Sequence, residues 1–366
     1  VTVVQSQNDW GVTSTSTEIC ALKGSAVDIS CTYRNPSRIN DGHTIIWFTK
    51  ERNDQYVDLE TDRVQHQCGN NFCTLRIRDL RESDSAEYKF NFNTLTGTFT
   101  GSPGVTVSVT GPQLQVHVRR STVNQFSNWT ELTCHSKCRL PDRPSYIWYK
   151  NGQNIQENKV YFHAHHPFVP ADSYSCAVSG YELFPSPSVY APKFPSVSVS
   201  PSAEIVEGSS VTLTCSSDAN PAAKYTWYKE NKSPDHECLS EEPQLVFSSI
   251  QSSDSGEFYC SAENELGRRT SEHIFINVKY APKLPSVSVS PSGEIVEGSS
   301  VTLTCSSDAN PAAKYTWYKE NRTLIQGPEG SYYFTSISSK DRGIYFCKSE
   351  NEYGQINSTS LSIDVQ

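Results

Sequence analysis

The chain has 366 residues, a formal net charge of −9, twelve cysteines and no methionine. That length exceeds one ordinary domain and fits several of about 100 residues each. The acidic balance argues against nucleic acid or an anionic membrane surface as partner, because both reward basic surface. The cysteine usage points to an oxidising compartment.

In the first 110 residues, Val27, Ile29 and Cys31 alternate with Asp28 and Ser30, the period of a half-buried strand. Ile45-Ile46-Trp47-Phe48 gives a second strand carrying a tryptophan, and Asp84-Ser-Ala-Glu-Tyr88-Lys-Phe90 follows downstream. Residues 111–190 carry Cys134, then Trp148, then Cys176 with Tyr174 two positions before it. Ser210 to Lys229 contains Cys215 and Trp227, and returns without a change as Ser300 to Lys319, with Cys305 and Trp317. Each copy is followed by Asp-x-Gly-x-aromatic-x-Cys, ending at Cys260 and at Cys347. Cysteine, tryptophan on the next strand, then an aromatic two residues before a second cysteine is the signature of the immunoglobulin sandwich, whose bridge ties two sheets together under the indole. We therefore expect an all-β chain of four tandem immunoglobulin-like β-sandwiches, with Trp47, Trp148, Trp227 and Trp317 as their kernels. The expected boundaries are 1–110, 111–190, 191–280 and 281–366, with matching Ala-Pro-Lys linkers at Ala191 and Ala281, ninety residues apart (281 − 191). The expected bridges in the last three are Cys134–Cys176, Cys215–Cys260 and Cys305–Cys347.

The first sandwich departs from this scheme. The long segment from Trp47 to Leu75 leaves room for the additional strands of a variable-type sandwich, whereas the other three read as C2-type (constant) domains. Arg63 and Asp84 stand where a variable-type domain closes its base with a salt bridge. Phe90 occupies the place of the second cysteine, and a cysteine stands instead at Cys73, in line with Leu75 and Ile77. In this fold that strand neighbours the strand of Cys31, so a bridge Cys31–Cys73 would lie within one sheet and let the sheets splay. Cys68 and Cys238 have no evident partner and read either as free thiols or as links between chains.

These marks resemble one family. An intrasheet bridge, Asp-Ser-x-x-Tyr-x-Phe, Asp9-Trp10-Gly11-Val12 and the additional Cys138 in the second module are similar to the siglecs, the sialic-acid-binding immunoglobulin-type lectins. The tandem modules are most like the B-cell inhibitory co-receptor branch. The resemblance implies a bridge Cys20–Cys138 across the first domain junction, where the two cysteine-bearing ends abut. It also implies an arginine on the outer face of the strand of Tyr88, paired to the sialic-acid carboxylate by two parallel hydrogen bonds. That position is Asn91 here, and alternation turns Lys89, Asn91 and Asn93 outward. Charge-assisted hydrogen bonds are roughly twice as strong as neutral ones, so the exchange costs on the order of 2 kcal/mol.

Three readings follow: a site dead for sialic acid, partial substitution by the Lys89 charge, or binding kept through Trp10 and Phe99. The resemblance makes Trp10 and Phe99 sugar contacts. Trp10 reads equally as cover for a sheet edge, and for Phe99 packing comes first. Trp129, inside a sequon, reads as packing at the junction or under the glycan. Acceptor sequons stand at Asn128, Asn231, Asn321 and Asn357, although Pro234 follows the serine of the second.

His163-Ala-His165-His166 has no patterned cysteine or carboxylate beside it, so no metal is expected. No Gly-x-Ser-x-Gly, His-Glu-x-x-His or phosphate-binding loop occurs, so we expect no catalytic residue, no cofactor and no enzyme. We expect an ectodomain fragment on the extracellular side of the plasma membrane. Attachment would run through a segment outside this sequence, and a secreted decoy is the alternative. Expected partners are sialylated glycans, bound weakly or not at all, or cell-surface proteins.

Overall fold

The computed structural model describes residues 2–3, 11–14, 17–34, 45–52, 55–58, 62–69, 72–94, 97–101, 103–120, 129–165, 171–230 and 237–366. Among them the fold is carried by strands; the helical pieces are 3-10 turns at Glu82–Asp84, Ser252–Asp254 and Ser339–Asp341. The chain divides into two compact units, one built on residues 1–191 and the other on most of 192–366.

In the first unit, one sheet contains β1 (Thr2–Val3), β2 (Gly11–Ser14), β4 (Val27–Arg34), β8 (Phe72–Ile77) and β7 (Val64–Gly69), in that spatial order. The facing sheet runs β3 (Glu18–Leu22), β11 (Val105–Thr110), β9 (Ala86–Thr94), β5 (Ile45–Arg52), β6 (Gln55–Asp58), with β10 (Gly97–Thr100) also paired to β9. The segment between Trp47 and Leu75 carries β6, paired to β5, and β7, paired to β8. Ile29, Leu75, Ile77, Tyr88, Phe90 and Val107 close the core between the sheets. Arg63 grips Asp84 with two hydrogen bonds of 2.9 and 3.0 Å, as the spacing predicts. Tyr88 lies over the same corner and donates its hydroxyl to the Asp84 carbonyl at 2.7 Å.

Two expectations for this sandwich need correction. The first concerns its kernel. Phe48, not Trp47, is paired with Phe90, and both are buried with their rings 5.4 Å apart in an edge-to-face contact. Trp47 is paired with Asn91 instead, which places it one step out of phase with the core; its side chain lies outside the described residues. In the other sandwiches the tryptophan stands two residues before a lysine, at Trp148-Tyr-Lys150, Trp227-Tyr-Lys229 and Trp317-Tyr-Lys319, and here Phe48 holds that place before Lys50.

The second correction concerns the cysteines. β4 and β8 are neighbours and Cys31 is in register with Cys73, as expected. Cys73 is bonded to Cys68, however, and Cys31 is a buried free thiol. The reason is that β7 lies on the other side of β8 with Cys68 directly opposite Cys73, their Cα atoms 4.1 Å apart, so two cysteines compete for one sulfur.

The second sandwich of this unit has one sheet of β12 (Leu114–Arg120), β13 (Trp129–Ser136) and β16 (Tyr161–His165). The other sheet runs β15 (Gln153–Glu157), β14 (Tyr146–Lys150), β17 (Ser173–Val178), β18 (Val189–Tyr190). Trp148 is wholly buried, paired with Cys176, and gives its indole N–H to the Lys159 carbonyl at 3.0 Å. Cys134 is bonded to Cys176, and Cys20 to Cys138, the latter joining the two sandwiches. Phe184 packs on the same junction so closely that a Cβ on Gly111 would sit 2.6 Å from its ring.

The second unit repeats the plan twice. Val211–Ser216 and Val301–Ser306 carry Cys215 and Cys305, bonded to Cys260 and Cys347. Trp227 and Trp317 are wholly buried and paired with those second cysteines. Between the repeats Tyr280 donates to Asp308 at 2.7 Å, and Lys283 pairs with the same carboxylate at 2.8 Å. Tyr353 donates to Glu204 at 2.6 Å.

Candidate functional site

The candidate site is the outer face of β9 and its neighbours. β9 alternates strictly: Tyr88 and Phe90 enter the core, which turns Lys89 and Asn91 to the other face. β5 brings Thr49 opposite Lys89, and β10 brings Thr100 opposite Asn91. These hydroxyl-bearing neighbours close over the amide. Asn91 is only 5% exposed, so the expectation of an open outward residue is corrected. Its Nδ2 donates to Thr49 Oγ1 at 3.0 Å and to the Lys89 carbonyl at 3.4 Å, and its Oδ1 accepts from Thr100 Oγ1 at 2.8 Å. An amide has two N–H donors, and both are used internally. A carboxylate, which only accepts, meets no spare donor on Asn91.

Lys89 stands beside it with its Nζ 3.8 Å from the Glu87 carboxylate. Glu87 also accepts the Gly104 N–H at 3.0 Å. The one cation adjacent to Asn91 on β9 is thus already next to an anion. Phe99 is paired with Phe92 through the backbone, and its side chain lies outside the described residues, as does Trp10. The structure therefore brings Asn91 and Lys89 together with Thr49 and Thr100. The two threonines were missed in the sequence because their role comes from cross-strand register, which no local motif reports.

At the base of the same sheet, burial raises the Asp84 carboxyl. The Arg63 hydrogen bond, the Arg81 N–H and the charges of Arg63 and Lys50 outweigh burial and hold it below the usual carboxylate range. This is a structural anchor on the edge of the core, away from Asn91.

Trp129 lies against His163, ring centres 4.3 Å apart, and His163 approaches Glu131 at 3.4 Å. Among the described residues no group of three or more histidines, cysteines or carboxylates is placed to hold a metal. Asn321 and Asn357 are exposed, while Asn128 and Asn231 lie outside the described residues.

The paired sheets, the Cys–Trp–Cys kernels and the tyrosine corner make this an all-β protein of tandem immunoglobulin domains. Family models described as "Immunoglobulin domain" match residues 195–264 and 284–365. The chain is 32% identical over 182 residues to vascular cell adhesion protein 1 of Homo sapiens, covering 48% of this chain and 24% of that protein. It is 29% identical over 242 residues to the B-cell receptor CD22 of Mus musculus, covering 64% and 27%. It is 33% identical over 181 residues to myelin-associated glycoprotein of Homo sapiens, covering 48% and 28%. The matched region spans about a quarter of the length of these relatives.

Proposed function

We propose that the chain is part of the ectodomain of a siglec-like adhesion receptor whose sialic-acid site is impaired at Asn91. The observation that carries this reading is the closed hydrogen-bond set of that amide, with Thr49 and Thr100 as its partners. Two relatives, the B-cell receptor CD22 and myelin-associated glycoprotein, are siglecs, the group that the motifs of the first two modules resemble. In this reading the front module, residues 1–110, carries the recognition face. Modules 111–190, 191–280 and 281–366 are spacers that present it on the extracellular side of the plasma membrane. The ligand is a cell-surface protein, and sialylated glycans bind weakly or not at all.

Sialoside binding by the whole chain tests this. Wild type should bind at background level, and Asn91→Arg, with its fold checked by near-ultraviolet circular dichroism, should bind measurably. Wild-type binding that Lys89→Ala abolishes would overturn the impaired-site reading in favour of substitution by the lysine. A folded Asn91→Arg that still ignores sialosides favours the second reading, a protein-binding adhesion receptor with no lectin history. That reading draws on the similarity to vascular cell adhesion protein 1.

A further inference from the structure

Three cysteines of the first sandwich stand in one row across three adjacent strands. Cys31 on β4 is opposite Cys73 on β8, and Cys73 is opposite Cys68 on β7. Cys68 is bonded to Cys73 with Cα atoms 4.1 Å apart, and directly opposed residues of antiparallel strands, as Cys31 and Cys73 are, share a face at about 4.5–5.5 Å, within the span of about 4.4–6.8 Å usual for disulfides. Both neighbours of Cys73 are therefore within bonding reach, yet it can bond only one of them. We propose that Cys31, Cys73 and Cys68 form an internal thiol–disulfide relay in which one bridge moves between Cys68–Cys73 and Cys31–Cys73.

The chemistry balances within the chain. Cys31 gives its proton to solvent and its thiolate attacks Cys73 Sγ. The Cys31–Cys73 bond forms as the Cys68–Cys73 bond breaks, and Cys68 leaves as a thiolate that takes up a proton. One disulfide and one thiol are present before and after, so no oxidant or reductant is consumed. The row also suits the displacement. Cys31 and Cys68 flank Cys73 on opposite neighbouring strands, so the attacking and leaving cysteines do not occupy the same place.

The two ends differ in what they present. Cys31 is buried among Ile29, Leu75, Phe48 and Phe90. Cys68 lies at the exposed end of β7, the edge strand of its sheet. The relay thus converts a buried thiol into a solvent-facing one, able to form a mixed disulfide with a small thiol compound or with a cysteine of another chain. It also moves the staple from the edge of the sheet to its centre.

Burial pushes the Cys31 thiol up to about 11. The ionisable group sharing that core is the Tyr88 phenol, and His66, opposite Leu75, stands on the same side of β7. Forward exchange is therefore slow at neutral pH, and its rate follows the thiolate fraction, rising about tenfold per pH unit up to pH 9.

Tryptic mapping reads the two states directly. Cys68 and Cys73 lie in one peptide, Val64 to Arg76, whereas Cys31 lies in another, Gly24 to Arg34. The whole chain is held at pH 7, 8 and 9 without added thiol, quenched in acid, unfolded, alkylated and digested. We expect the cross-linked pair of peptides, together with alkylated Cys68, to appear at a rate that climbs with pH and is independent of protein concentration. Cys31→Ser should keep the bridge within Val64 to Arg76 and leave Cys68 unlabelled at every pH. Cys68→Ser should join Gly24–Arg34 to Val64–Arg76. Alkylated Cys31 with unlabelled Cys68 at all three pH values would overturn the proposal. So would a fixed Cys31–Cys73 bridge that never interconverts, or a Cys68→Ser chain in which Cys31 and Cys73 both alkylate.

Discussion

Asn91 shows how much a single side chain's neighbours decide. Its place on the strand followed from alternation, but its burial did not, because Thr49 and Thr100 reach it only through pairing with β5 and β10. Asp84 makes the complementary case, since its partner Arg63 was evident from position alone. Replacing Asp84 by Asn leaves Arg63 without its anion and should cost about 2–3 kcal/mol, toward the low side for a buried pair because Arg63 keeps some solvent. A fall in the melting temperature of the first sandwich measures it. The carboxyl is held below its ordinary value, so its contribution is complete above the unfolded pKa of about 3.9 and is lost as pH falls through the lower folded value. Acid titration of wild type should show this loss, and Asp84→Asn should flatten it. Phe48 could have been found before any coordinates by counting two residues back from Lys50. The presence of a tryptophan next to it hid that phase. Phe48→Ala should therefore destabilise the sandwich by about 3–5 kcal/mol, as core aromatic truncations do, read as a shift in the denaturant midpoint.

At the scale of strands, the alternating runs and the kernel bridges of the last three sandwiches were legible because each depends on spacing along the chain. The pairing of β7 with β8 was not. A strand's partner and register are set by the turn and by which face is buried, and Cys68 sits in a polar stretch, Gln65-His-Gln-Cys68, that gives no phase. The Cys20–Cys138 bridge closes a sequence separation of 118 residues. Loop-closure entropy assigns such a link about 4–5 kcal/mol. Changing both cysteines to alanine should lower the melting temperature and make the junction near Gly111 cut faster in limited proteolysis. Gly111→Ala should act at the same junction with the bridge intact, since its new methyl would displace Phe184.

For the molecule as a whole, tandem sandwiches were readable from the repeated cysteine and tryptophan pattern, although the first departs from it, yet the repeat also carries a hazard of its own. Val211–Ser216 has the same sequence as Val301–Ser306, and Lys224–Lys229 the same as Lys314–Lys319. A chain emerging from denaturant thus offers every one of these segments two equally good addresses. Adjacent domains with matching segments are prone to strand exchange and misassembly. Refolding should accordingly yield a trapped fraction whose cysteines cross-link between repeats, Cys215 to Cys347 or Cys305 to Cys260. Giving Val211–Ser216 different inward-facing residues of equal volume should remove that fraction. Duplication lengthened this chain at little inventive cost, and the debt falls due each time it has to find its own fold.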